Sequence, residues 1–132
     1  MASIFSKIVN GEIPSYKVAE NEHFLAFLDI FPLTKGHTLV IPKKEVDYIF
    51  DLDDETYLGL MDFSKKVAIA IKKTIPCNRL SMQVIGLEVP HAHVHLIPIN
   101  SMSDCNFANP KLQLSKEEFE TIAASIRQNV IL

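Results

Sequence analysis

Residues 91–98, His-Ala-His-Val-His-Leu-Ile-Pro, alternate imidazole with apolar side chains before closing on a proline. Strict alternation marks a strand with one face against a core and the other free for a ligand. Ala92, Val94 and Leu96 then point into the core, and His91, His93 and His95 form a row on the opposite face. A rise of about 3.3 Å per residue spaces neighbours in that row about 6.6 Å apart. Polar atoms on a half-buried surface need partners. Three imidazoles, each able to exchange a proton near neutral pH, suit binding phosphate, transferring it, or holding a metal.

The rest of the chain supplies strands beside strands and separate helices. Ile4 and Ile8 have helical spacing in a short piece that Asn10-Gly11 ends. Tyr16–Ala19 and Phe24–Leu28 bracket a polar turn and read as a hairpin. Gly36 precedes a β-branched-rich strand, His37–Ile41, which Pro42 closes. Asp53, Asp54 and Glu55 open the main helix, where unpaired N–H groups favour acidic residues. Tyr57, Leu60, Met61, Ser64, Val67, Ala68, Ile71 and Ile75 continue it at helical spacing, and Pro76 stops it. Leu80–Ile85 and Ala92–Ile99 read as two further strands turning around Gly86. Ser115 and Glu118 fit a capping box for a last helix, with Leu114 and Phe119 stapling its entry. Its apolar stripe is Phe119, Ile122, Ala123, Ile126 and Val130. The pattern predicts an α+β fold: an antiparallel sheet of about five strands, one main helix packed on it, and a C-terminal helix. All 132 residues are expected to form a single domain, with residues 111–132 a C-terminal helical extension.

Composition narrows the function. A chain that is 48% apolar and 22% charged is expected to be globular. The first residues lack the features of a signal peptide, and no apolar stretch approaches the roughly 20 residues that span a bilayer, so the expected location is cytoplasmic with no membrane contact. Cys77 and Cys105 are unpaired in spacing and read as incidental thiols. A net charge of −3 argues against a partner such as a nucleic acid polymer, whose binding needs clustered Lys and Arg. A mononucleotide remains compatible.

Three readings of the histidine row stand side by side. Burying all three rings as structural residues without partners would cost several kcal/mol. A metal site would draw two ligands from His-x-His, but the row spans about 13 Å, so all three rings reach one ion only if the strand bends. A covalent reading asks less of the backbone. A neutral imidazole anchored through one nitrogen presents the other as a nucleophile toward phosphorus. His93 would attack while His91 and His95 hydrogen-bond the phosphate oxygens.

The run from Glu88 to Pro98 resembles the signature of the histidine triad (HIT) superfamily, His-φ-His-φ-His-φ-φ with φ apolar. Ile4–Ile8 followed by Gly11-Glu12-Ile13-Pro14 is similar to the family's N-terminal opening. Leu25–Ile30 followed by Gly36–Lys43 is similar to its nucleoside-binding hairpin. The resemblance implies a purine nucleotide hydrolase or transferase of the Hint-like phosphoramidase branch, needing no cofactor and no metal, and forming a homodimer through a continuous sheet. By position it implies His93 as nucleophile, His91 and His95 flanking the α-phosphate, and His37 supporting the site. It further implies Asp29 on the ribose hydroxyls and Ile4, Phe5, Ile8, Phe27 and Ile30 around the base. Gln83 and Glu88 fall on the leaving-group side. Leu87 stands where many members carry Gln, Gln83 where Asn is common, and Leu28 where some relatives have His. The loop from Gln83 to Val89 is shorter than in the Hint-like branch. The alternatives are a dinucleoside polyphosphate hydrolase of the same superfamily and a nucleotide-binding adaptor whose chemistry is vestigial.

Overall fold

A computed structural model describes residues 2–132. Five strands, β1 (Lys17–Glu20), β2 (Phe24–Leu28), β3 (Thr38–Pro42), β4 (Arg79–Gln83) and β5 (Val94–Ile99), pair antiparallel in the order β1-β2-β3-β5-β4. The helices are α1 (Ile4–Val9), α2 (Asp54–Thr74) and α3 (Lys116–Asn129). This is the expected α+β architecture.

Helix boundaries follow from caps. Ser3 accepts from the Ser6 N–H at the start of α1, and Asp53 accepts from the Thr56 N–H at the start of α2. Ser115 and Glu118 form the reciprocal capping box of α3. Helices α2 and α3 cover one face of the sheet. Ala26, Leu28, Val40, Val94 and Leu96 meet Leu60, Val67, Ile71, Phe119 and Ile126 there. The stripe of α3 therefore belongs to the main core. On the opposite face Leu25, Phe27, Leu39 and Ile41 pack against Phe5 and Ile8 of α1. With both faces covered, every residue of β2 and β3 is buried.

Two strand boundaries lie two residues from the sequence expectation, while β1, β3 and the start of β4 are displaced by one. β4 ends at Gln83 rather than Ile85, and β5 begins at Val94 rather than Ala92. The β3–β5 pairing runs only from Thr38↔Leu96 to Val40↔Val94, and β3 stops at Pro42, which has no N–H to extend a ladder. Before β5 the chain finds other partners: the Ala92 N–H donates to the Val46 carbonyl at 2.7 Å. His91 and His93 thus lie in the segment leading into the strand. Gly36 sits at φ +93 immediately before His37, a left-handed conformation that glycine adopts without strain. No helix among the described residues is long and apolar enough to cross a membrane.

Candidate active site

A cleft of about 450 Å³ opens on the α1 face of the sheet. Leu39 of β3 pairs with His95 of β5, so residues directed to this face include both the apolar floor and the histidine. Phe5 joins the two, its ring edge-on to Phe27 at 5.5 Å and to His93 at 5.0 Å. The His93 and His95 rings are 4.9 Å apart between centroids, and both line the cleft.

Hydrogen bonds assign the protons on these rings. His93 Nδ1 lies 2.7 Å from the His91 carbonyl. A carbonyl only accepts, so Nδ1 carries the proton and Nε2 keeps a lone pair. The Leu33 N–H donates to His37 Nδ1 at 3.0 Å, which leaves the His37 proton on Nε2. That N–H donates to His95 Nδ1 at 3.0 Å, so His95 in turn carries its proton on Nε2. One cleft histidine thereby keeps a free lone pair on Nε2, and its neighbour keeps a proton there. Burial holds His95 down to about 3, helped by His37, and holds His37 down to about 4, helped by Lys111. Both are neutral at pH 7.

His91 is placed differently from the expectation. Its ring is fully buried and does not line the cleft. Nε2 donates to the Pro42 carbonyl at 2.8 Å, and Nδ1 accepts from the Ser3 hydroxyl at 2.8 Å. With both nitrogens engaged, it holds the backbone whose carbonyl orients His93 and leaves nothing for a phosphate oxygen. Burial also depresses its pKa. Ser3 is fixed in turn by Glu45, which accepts from the Ser3 N–H and the Ser6 hydroxyl, each at 2.6 Å. Those two donors hold the Glu45 carboxyl down to about 2.

The remaining expected residues divide. Asp29, Ile4, Phe5, Ile8, Phe27, Ile30 and Glu88 all line the cleft, and His37 lies beneath His95. Asp29 Oδ1 accepts from the Phe31 N–H at 2.8 Å, while Oδ2 stands 3.6 Å from His37 Nε2. Gln83 does not line the cleft; its amide donates to the Ser81 hydroxyl at 3.0 Å. Leu28 and Leu87, at two of the positions that depart from the superfamily pattern, both do.

Sequence reasoning missed Phe107 and Lys111, which line the cleft from the segment after β5. The Phe107 ring stands edge-on to His95 at 4.9 Å. A lone large aromatic among Ser, Asp, Asn and Pro in residues 101–110 was the available signal, because a polar loop rarely spends one on solvent.

Asp29, His37 and His95 offer one ligand atom each within 4.8 Å of one another. Metal-bound imidazoles donate through their second nitrogen, whereas His37 Nδ1 accepts a backbone N–H. Binding a cation through Nε2 would strip that ring of its only proton, so this donor set does not fit a resident ion.

Residues 10–102 match the HIT domain family. The chain belongs to the HIT family. It is 38% identical over 135 residues to the adenosine 5′-monophosphoramidase of Schizosaccharomyces pombe, covering 98% of this chain and 99% of that one. It is likewise 38% identical to an uncharacterized HIT-like protein of Borreliella burgdorferi, covering 96% and 97%. Among solved structures, a HIT-like protein from Bartonella henselae superposes with a TM-score of 0.86 at 33% identity, covering 97% of this HIT chain and 96% of its own. Kinship with named phosphoramidases supports a nucleotide hydrolase role for this HIT protein in general terms.

Proposed function

We propose that this HIT protein hydrolyses a nucleoside 5′-monophosphoryl bond, a phosphoramidate above all, through a nucleotidyl-histidine intermediate. The observation that carries the reading is the bond from His93 Nδ1 to the His91 carbonyl, which frees Nε2 toward the cleft. Phe5, Ile8 and Phe27 offer apolar walls for a purine. Asp29 Oδ2 is an acceptor for ribose hydroxyls, as the family resemblance implies.

The lone pair on His93 Nε2 forms a bond to the α-phosphorus as the phosphorus–nitrogen bond of the leaving amine breaks. That amine departs with a proton from water at the cleft mouth. His95 Nε2–H donates to a phosphoryl oxygen as charge builds there. The His91 carbonyl faces the imidazole N–H that becomes cationic in the adduct. Water then attacks phosphorus, releases the nucleoside monophosphate, gives its proton to solvent and returns the lone pair to Nε2. The sum consumes one water and needs no cofactor.

Acid quenching during turnover followed by intact-mass spectrometry should show a nucleotidyl adduct. His93→Ala should lose the adduct and at least about a thousandfold in kcat, while still binding nucleotide. Unchanged turnover in that variant ends the proposal.

The active form is proposed to be a homodimer. β4 is an edge strand, and the exposed Met82 and Val84 share a hollow with the exposed Tyr48 and Phe50. An open edge with apolar neighbours is suited to pairing with a second copy.

A further inference from the structure

Charge in the cleft is unbalanced for a nucleotide. Apart from the histidines, the charged side chains among the described lining residues are the carboxylates Asp29 and Glu88 and the ammonium of Lys111, and His37 and His95 are held neutral. A nucleoside monophosphoryl group brings negative charge of its own, and His95 Nε2–H can offer it a hydrogen bond without a countercharge. Among the described residues, Lys111 is the one lysine or arginine lining this space.

Its position is built from the backbone. The Lys111 ammonium donates to the Phe107 carbonyl at 2.6 Å and the Asn109 carbonyl at 3.0 Å. Phe107 rests against His95 and His37, and the Leu112 N–H donates to the Pro32 carbonyl at 2.9 Å, beside the turn that carries Asp29. The segment is thus anchored on both sides of Lys111, by Phe107 against the site histidines and by Leu112 to the loop between β2 and β3. Two of three ammonium donors meet carbonyls, leaving one. Among the described residues no carboxylate lies within ion-pair distance of it.

We infer that Lys111 is the charge receptor of this cleft, donating its remaining N–H to an anionic oxygen at the phosphoryl end of the substrate and selecting nucleotides over nucleosides. The inference rests on the nucleotide reading above. Residues 107–111 would then be a specificity element lying outside the matched domain, which ends at residue 102.

Calorimetry on the full chain with adenosine, AMP, guanosine and GMP tests it. Wild type should bind each monophosphate more tightly than its nucleoside, with the advantage shrinking as salt rises. Lys111→Met should weaken monophosphate binding by about tenfold or more and leave nucleoside binding unchanged. Lys111→Arg, which keeps the charge, should retain most of the preference. A Lys111→Met variant that weakens nucleoside and nucleotide equally, or neither, overturns the inference while leaving the nucleotide reading intact. Wild type that binds none of the four overturns both.

Discussion

The protons on His93 and His95 are set by what lies behind each ring: a backbone carbonyl for one, a second histidine and a backbone N–H for the other. The same burial has a thermodynamic consequence. His37 and His95 titrate at about 4 and about 3 when folded, below their ordinary 6.5, and His91 is lowered in the same direction. Between pH 6.5 and those values the unfolded chain binds protons that the folded chain refuses. Stability from the neutral rings is therefore complete above pH 6.5 and is lost as pH falls. Each proton taken up on unfolding contributes a slope of about 1.4 kcal/mol per pH unit. Urea unfolding at pH 7, 6 and 5 should show that decline before most carboxylates titrate; a flat profile would contradict the buried neutral trio. The alternation of residues 91–96 made the row visible in the sequence. His91's occupation was not visible, because its partner Ser3 lies 88 residues away.

At the scale of elements, local signals located most helices and strands and missed the ends of some strands. The Ser115–Glu118 box and the Asp53 cap are local chemistry, satisfied within a single turn, and so could be read directly. The start of β5 depended on Val46, Pro42 and the end of β3, which periodicity cannot report. Gly36 joins both kinds of constraint. Its φ of +93 is local, but a Cβ there would also come within 2.9 Å of Ile75 Cγ1 and 3.3 Å of Pro98 Cγ. Gly36→Ala should cost at least about 1–2 kcal/mol from backbone strain alone. Because residue 36 precedes His37, kcat should fall together with the denaturation midpoint. Wild-type stability in this variant would show that the turn tolerates a side chain.

For the whole molecule, the open question of assembly concerns β4. If a second copy covers Met82 and its apolar neighbours, sedimentation should give twice the 14.9 kDa chain mass. Met82→Asp would place a charge in that contact and shift the species toward monomer. A wild-type monomer at micromolar concentration, or a dimer indifferent to Met82→Asp, would count against the proposed pairing. The sequence by itself determined the α+β class, the cleft-facing side of His93 and His95 and the caps of the two long helices, since each arises from periodicity or near-neighbour chemistry, while the apolar residues that line the cleft came from the family resemblance. Only the tertiary structure decided that His91 braces the backbone instead of facing the cleft, that Glu45 and Ser3 secure it, and that Phe107 and Lys111 close one wall. Those assignments come from contacts between residues far apart in the chain, where side-chain identity says what bonds are possible and folding alone says which are made.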